Sequence, residues 1–313
     1  MSYKIAAVVV TFNRLELLKQ CVQSLRNQTL KLDEILIINN SSTDGTLEWL
    51  NQQNDLTILT QENSGSAGGQ YTGIKTAYEK GYDWILCTDD DTSFDGNYIR
   101  ILIEYAITNS IYYLGGSVIN EKNKVLVNHR GLLKEKIIKE KIQIPIDIRF
   151  YSSEIVCVHF ISFVGMILNR TIIDKIGFPN NKFFYQHDDV EYCFRIKKYF
   201  SGLLIPAATM LHKEKESHNF KKFRNIKERK NHSLSKAKLF YDVRNLTYTV
   251  LTYYQNPFIK YISIINFFFV QTRRILLYSN NKKINLKIIL NAFYMGYRRD
   301  LNNGKNKILQ LTS

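Results

Sequence analysis

An α/β fold with a doubly wound, mostly parallel sheet is predicted for the first two thirds of the chain, followed by a basic helical C-terminal region. Three observations predict it. Four strand-then-helix alternations fill the first ninety or so residues, the pattern that buries a parallel sheet between helical layers. The strands read as short apolar runs, as strands covered on both faces do. Charge is divided unevenly: residues 1–210 carry 22 Lys and Arg against 23 Asp and Glu, a net −1, whereas residues 211–313 carry 21 against 5, a net +16.

Taken in order, Ile5–Thr11 is an apolar, β-branched first strand. Asn13 is the expected cap of a helix from Leu15 to Leu25, whose apolar positions recur every three to four residues. Glu34–Ile38 is the second strand and runs into the small polar residues Asn39 to Thr46, a turn or helix cap. A helix from Thr46 to Asn51, a strand from Leu56 to Thr60 and a helix through Tyr71, Ile74, Ala77 and Tyr78 follow. The strand Trp84–Cys87 then delivers Asp89-Asp90-Asp91. Beyond it come a helix over Tyr98–Ala106 and a strand over Tyr112–Ile119. Residues 120–150 alternate charged and apolar types without a decisive period. Ile155–Leu168 is apolar, with Gly165 marking a close backbone approach. A short helix stops at Gly177, another follows the acidic cluster Asp188-Asp189-Val190-Glu191, and a strand over Leu203–Pro206 precedes His212. From about residue 213 the sequence is Lys-rich, and helical periodicity resumes over Phe240–Tyr254, Ile259–Tyr278 and Ile284–Tyr297.

The bulk composition excludes several classes. With 313 residues, 45% hydrophobic and 13% aromatic, the chain is not disordered. The N-terminal apolar run is too short for a secretion signal and no cleavage site follows it. Four cysteines without a C-x-x-C pair are expected to be reduced core thiols of a cytoplasmic protein. Tyr261–Val270, the longest apolar piece of the tail, falls short of the roughly 20 residues that span a bilayer. A basic, aromatic, amphipathic tail of this kind implies an anionic membrane surface as partner. No nucleic-acid partner is expected, since no recognised binding motif accompanies the charge.

Two acidic clusters carry the chemistry. Asp89, Asp90 and Asp91 stand at the carboxyl end of a predicted strand, where ligands of open α/β sheets bind. Adjacent carboxylates repel and are held by hydrogen-bond donors or by a hard cation, Mg²⁺ or Mn²⁺, shared with substrate phosphates. Gly65-Ser66-Ala67-Gly68-Gly69 is not G-x-G-x-x-G and follows the third strand, which excludes a dinucleotide oxidoreductase. Its expected use is backbone approach to a ligand at a helix N-terminus.

The runs Val8 to Arg14, Ile38 to Thr46, Asp89 to Asp91 and His187 to Glu191 occur in an order and spacing that resembles the inverting glycosyltransferases of family 2, of GT-A fold, over roughly residues 4–215. The Gly-rich stretch beside the triplet looks most like the galactofuranosyltransferase branch, with rhamnosyltransferases of surface polysaccharide synthesis close to it. The resemblance implies a GT-A domain over residues 1–215; the basic helical region over 216–313 is expected, from its charge and aromatic content, to associate with a membrane. Thr11 and Asn39 would border the base and ribose of a nucleotide-sugar donor, with Asn13, Arg14, Gly68, Asp89 and Asp90 on the same side. Asn39 stands where the family commonly has Asp, and an amide both donates and accepts. Asp91 would hold a Mn²⁺ or Mg²⁺ ion, Asp89 would share it or reach the ribose, and His212 would be a further ligand, with His218 a nearby competitor. Sugar transfer with inversion needs one base, tuned by burial or a like-charged neighbour. Asp189 is expected in that role, with Asp188 as a catalytic neighbour that tunes it or binds an acceptor hydroxyl, and with Glu191 toward the acceptor. An acidic helix N-terminus is the structural alternative for the same residues. Tyr241-Asp242-Val243-Arg244-Asn245 resembles an element of polysaccharide-building relatives, whereas the Q-x-x-R-W motif of processive synthases is absent. A sugar nucleotidyltransferase would need a Gly-rich, basic loop directly after the first strand, which Val10 to Arg14 does not supply. The expectation is therefore transfer from UDP-galactofuranose, ahead of dTDP-rhamnose, to a lipid-linked saccharide on the cytoplasmic face of the cell membrane.

Overall fold

The structure, a computed structural model, describes residues 3–139, 141–213, 235–302, 304, 307, 308 and 310. The chain divides into two compact units. One comprises Met1–Leu133, Gln143–Asn181 and Asp189–Lys215; the other comprises Lys134–Ile142, Lys182–Asp188 and Glu216–Ser313.

In chain order the first unit contains β1 (Ile5–Thr11), α1 (Leu15–Arg26), β2 (Glu34–Asn39), α2 (Thr46–Leu50), β3 (Thr57–Thr60), α3 (Gly65–Glu79), β4 (Trp84–Asp89), β5 (Thr92–Phe94), α4 (Tyr98–Asn109) and β6 (Tyr113–Ile119). It continues with β7 (Arg130–Leu132), β8 (Ile144–Pro145), β9 (Val156–Val158), β10 (Phe160–Ile161), β11 (Met166–Asn169), α5 (Arg170–Ile176), α6 (Asp188–Ile196) and β12 (Gly202–His212). The main sheet runs β3-β2-β1-β4-β11-β6-β12-β5, with β9 also on β12. Its left half is parallel, β1 pairing with β2 and with β4 and β2 with β3, and so is the β6–β12 pair. Within the sheet β11 lies antiparallel between β4 and β6, and at the far edge β5 and β9 each lie antiparallel to β12. The residues of β11 are buried like those of its neighbours, so no local pattern marks its direction.

Residues 120–150, unassigned from sequence, contribute β7 and β8, which join β10 in a small three-stranded sheet. The apolar run 155–168 divides into β9, β10 and β11. Gly165, just before β11, has φ +75°, and a Cβ there would come within 2.2 Å of the Met210 sulfur. The strand begun at Leu203 extends to His212, with a register break against β6 between Ile205 and Thr209, where Pro206 sits.

Glycines set how closely α3 lies on the sheet. A Cβ on Gly69 would stand 2.4 Å from Val10 Cγ1, and one on Gly73 would stand 2.1 Å from Val8 Cγ1. Both positions let a helix backbone settle on β1. The helix cap expected at Asn13 is supplied from elsewhere. Asn13 adopts φ 53°, and the first helical N–H, that of Leu15, donates to Asp44 Oδ2 at 3.0 Å.

The second unit contains α7 (Lys236–Tyr253), α8 (Pro257–Tyr278) and α9 (Lys282–Tyr297). Each helix begins two to four residues before its apolar period does. Caps explain two of these starts. Ser235 Oγ accepts from Lys238 N, and Asn256 Oδ1 accepts from Ile259 N ahead of Pro257. Most of the Lys-rich stretch that follows residue 213 lies outside the described residues. Among those described, no helix is long and apolar enough to cross a membrane.

Cys21, Cys87 and Cys193 are buried, but Cys157 on β9 is exposed, which corrects the expectation of four core thiols. Burial pushes the Cys21 and Cys193 thiols up to about 12 and the Cys87 thiol higher still. A thiol-exchange reagent at neutral pH should therefore titrate one cysteine quickly in the native protein and all four in denaturant. Two or more fast thiols in the native state would contradict this packing.

Candidate active site

Strand register builds the site at the carboxyl edge of the sheet. Pairing of β1 with β2 sets Thr11 beside Asn39, and pairing of β1 with β4 sets Val10 beside Asp89. Asp90 and Asp91 then form the turn before β5, and pairing of β5 with β12 sets His212 opposite Thr92. Four distant stretches of sequence thus meet.

The carboxylates are held by donors. Thr11 Oγ1 donates to Asp90 Oδ2 at 2.8 Å and the Phe12 N–H approaches the same oxygen at 3.4 Å. The Arg14 guanidinium spans Asp90 Oδ1 at 3.2 Å and Asp91 Oδ2 at 2.6 Å. His212 Nε2 lies 3.0 Å from Asp91 Oδ1. Desolvation raises the Asp90 carboxyl to about 6 against the pull of Arg14 and Thr11. At Asp91 burial works in the same direction, but the His212 hydrogen bond and charge, together with Arg14, outweigh it and hold the group below its ordinary value. Asp89 ends β4 half-buried, its carbonyl accepting from Thr92 Oγ1 at 2.9 Å.

Asn39 is fully buried. Its Oδ1 accepts from Ser42 N, while its Nδ2 has no hydrogen-bond partner among the described residues. A buried donor without a partner costs free energy unless a ligand supplies an acceptor. Asn13 closes the neighbouring loop, its Oδ1 accepting from Thr43 N and its N–H donating to Ser42 Oγ. Gly68 is buried against Ser64, whose Oγ would be 2.1 Å from an added Cβ; the space its missing side chain leaves is taken by that neighbour.

Among the described residues, no group of three or more His, Cys, Asp or Glu is arranged to hold a metal by itself, so Asp89, Asp91 and His212 do not form a ready cluster. The close Asp91–His212 pair nevertheless fits a cation that takes one or two protein ligands and completes its shell with substrate phosphates and water, as Mg²⁺ does. His218 lies outside the described residues.

One residue of this region was not expected from sequence. His129, just before β7, meets His212 edge-on, with ring centroids 5.0 Å apart, and its Nδ1 lies 3.0 Å from Ser162 Oγ. Behind it the fully buried Arg130 donates to the carbonyls of Gly116, His129 and Val164. A lone histidine in a stretch without strand periodicity carries no local signal; only the placement of β7 reveals it.

The second acidic cluster opens α6. Asp188 is buried, and Asp189 is half-buried with Oδ1 accepting from Val190 N at 2.7 Å. Glu191, expected at the acceptor, is buried with both carboxylate oxygens engaged by Arg195, at 3.0 Å each, because the (i, i+4) spacing on α6 brings the two together.

Within the second unit, the Tyr241-to-Asn245 element of α7 holds the segment that leads into these acids. Asn245 Nδ2 faces the carbonyls of Phe183, Tyr185 and Gln186 at 2.8–3.0 Å. Arg244, fully buried and lowered to about 10 by that burial, donates to the carbonyls of Lys182 and Phe183 and, through Nε, to Asn245 Oδ1. His187 Nε2 pairs with Asp242 Oδ1 at 2.8 Å. Phe184, Gln186 and His187 have φ of 62°, 67° and 63°. Left-handed non-glycine residues cost on the order of 1 kcal/mol or more each and persist only where surroundings over-determine them. The clamp from α7 does so.

Comparison with known proteins places this geometry. Residues 6–177 match the model of the family described as glycosyl transferase family 2. The chain is 27% identical over 205 residues to the galactofuranosyltransferase GlfT1 of Mycolicibacterium smegmatis, which covers 64% of this chain and 66% of that protein. It is 24% identical over 220 residues to the dTDP-rhamnosyl transferase RfbF of Shigella flexneri, covering 68% and 70%. The match to the cholesterol galactosyltransferase of Borreliella burgdorferi is 29% identical and covers 40% of this chain and 37% of that protein. The chain thus spans a little under two thirds of GlfT1 and little more than a third of the Borreliella enzyme. Among solved structures, S. aureus TarS 1-349 superposes with a TM-score of 0.58 at 12% identity, covering 98% of this chain and 88% of that one. The mixed, mostly parallel sheet with flanking helices and the C-terminal helices α7–α9 is the GT-A-like arrangement expected from sequence.

Replacing Asn245 with Ala removes the shared donor from three carbonyls and should destabilise the protein by about 1–3 kcal/mol. Amide exchange in a peptide covering residues 182–188 should accelerate more than in β1 or β4. Uniform acceleration would show that the clamp has no local role.

Proposed function

The chain belongs to glycosyl transferase family 2, and from that premise we propose that it is an inverting hexosyltransferase. It would move a sugar from a nucleotide-diphosphate donor, UDP-galactofuranose foremost, to a lipid-linked saccharide in surface polysaccharide synthesis. The observation that carries the reading is the assembly of Thr11, Arg14, Asp90, Asp91 and His212 at the carboxyl edge of the sheet, beside the unpartnered Nδ2 of Asn39. The choice of galactofuranose leans on the GlfT1 match, and the RfbF match supports dTDP-rhamnose as the second donor. A TarS structure of the same fold contains UDP-GlcNAc, which agrees with a nucleotide-sugar donor.

Each residue then has work to do. Asn39 Nδ2 donates to a carbonyl of the donor's base, while Thr11 keeps Asp90 turned inward. Arg14 is half-exposed on two carboxylates and presents a positive charge toward the place where diphosphate charge would accumulate. A Mn²⁺ or Mg²⁺ ion held by Asp91 and His212, with Asp89 nearby, would neutralise the departing diphosphate. Asp189 takes the proton from the acceptor hydroxyl as its oxygen attacks the anomeric carbon and the bond to the donor phosphate breaks on the opposite face. Asp188 lies next to it and favours the acceptor side. Acceptance of a lipid-linked saccharide would place the protein at the inner face of the cell membrane, with the basic helical region as its contact.

The test is a panel of sugar nucleotides with Mn²⁺, scored by release of nucleoside diphosphate and by transfer to a polyprenyl-linked saccharide. Turnover is expected with UDP-galactofuranose, together with tighter binding of uridine diphosphate than of deoxythymidine diphosphate; the reverse preference would select rhamnose. Asp189→Asn should lower kcat by roughly 10²- to 10⁴-fold with little change in donor KM. Absence of turnover with every sugar nucleotide would overturn the proposal, and an unaffected Asp189→Asn would move the base elsewhere.

A further inference from the structure

Helix α8 is inverted relative to an ordinary surface helix. Its inward face buries Ser263, Phe267, Gln271 and Ile275, so two of the four positions turned inward are polar. Its outward face carries Phe258, Tyr261, Ile265, Phe269 and Leu276, one ridge at spacings of three, four and seven residues. Phe258 is 71% exposed and Phe269 is 65% exposed. On α9 a matching ridge runs Lys283, Lys287, Leu290, Tyr294, Tyr297, with Tyr294 65% exposed and both lysines exposed. Ile265, Phe269, Tyr294 and Tyr297 also line a groove of about 440 Å³ that is almost without polar surface. Large aromatic residues displayed side by side on this scale mark a surface that meets something other than water.

Charge identifies the occupant. From Pro257 to Arg299 there are eight Lys and Arg and no Asp or Glu. A second copy meeting this face across a two-fold axis would bring one acid-free, positively charged surface against another, which opposes self-association. An anionic bilayer answers both features, because aromatic rings sit at the headgroup level and lysine stems reach to lipid phosphates while their carbons stay in the apolar layer. We propose that the outward faces of α8 and α9 form a membrane-docking surface, with Phe258, Ile265, Phe269 and Tyr294 entering the headgroup–acyl boundary and Lys283 and Lys287 engaging anionic headgroups. This rests on the membrane part of the reading above and adds which residues enter the lipid.

The experiment uses the full chain and phosphatidylcholine vesicles with and without phosphatidylglycerol. The wild type should float with the anionic vesicles, more weakly in high salt and with neutral ones. The exposed pair Phe258→Ser/Phe269→Ser and the pair Lys283→Glu/Lys287→Glu should each weaken flotation by roughly ten-fold or more. Tryptophan placed by Phe269→Trp should be quenched by brominated acyl chains. Flotation unchanged by the phenylalanine pair, or an unquenched tryptophan, would overturn the proposal. So would a lipid-free dimer that the phenylalanine pair dissociates, which would make this face a contact between copies. Donor hydrolysis by the same variants separates the two readings. Vesicle binding without turnover of any sugar nucleotide would sink only the enzymatic one, and turnover without vesicle binding only this one.

Discussion

Two adjacent carboxylates sunk at a strand end are the constraint on which the first unit's site depends. Asp90 and Asp91 are both buried, and neither burial nor mutual repulsion favours their charge. What offsets this comes from three other parts of the chain: Thr11 and Phe12 at the end of β1, Arg14 ahead of α1, and His212 at the end of β12. Opposite displacements of the two carboxyls follow from position alone. Asp90 receives a hydroxyl, a long amide contact and one guanidinium nitrogen but remains deep, whereas Asp91 faces both the Arg14 guanidinium and the His212 imidazole. The triplet therefore contains one residue committed to holding the end of β1 and one poised beside positive charge, although in sequence the two are the same amino acid.

The second acidic cluster is organised by a different principle. There the backbone ahead of the helix takes conformations that Phe184, Gln186 and His187 would not choose unaided, and α7 fixes the segment by gathering the carbonyls of Lys182, Phe183, Tyr185 and Gln186 on Asn245 and Arg244. The Tyr-x-x-Arg-Asn element, whose meaning is obscure in one dimension, is a backbone-binding device. Its polar side chains are spent on main-chain oxygens, while Arg244 also lies over the Tyr241 ring, 4.9 Å from its centroid.

Much of this was legible in the sequence, for identifiable reasons. Strands β1, β2 and β4 announce themselves because burial on both faces leaves unbroken apolar runs, and the three C-terminal helices do so because their apolar period is sustained over many turns. Strand-end logic marked the acidic triplet, and the residues gathered around Asp90 and Asp91 were nameable through the resemblance to family 2. What escaped was non-local. The antiparallel β11 and the short strands β7 and β8 are decided by their neighbours in the sheet. Asp44 displaced Asn13 as the cap of α1 because a loop thirty residues away supplied a better-placed carboxylate. The close seating of α3 on β1 at Gly69 and at Gly73, the latter outside the Gly-rich stretch read from sequence, depends on the valines of β1 beneath them. Glu191 looked free for an acceptor until the helix set it on Arg195.

The pairing of β12 with β5 extends over three residue pairs, Met210 with Phe94, Leu211 with Ser93 and His212 with Thr92. Side chains alternate along a strand, so a slip of one position would turn His212 to the opposite face and bring Leu211 toward Asp91. The imidazole is thus either fully in place or absent, with no intermediate setting. An insertion or deletion between the register break after Ile205 and residue 212 would act on the anionic centre as a switch acts on a circuit, however conservative the residues exchanged.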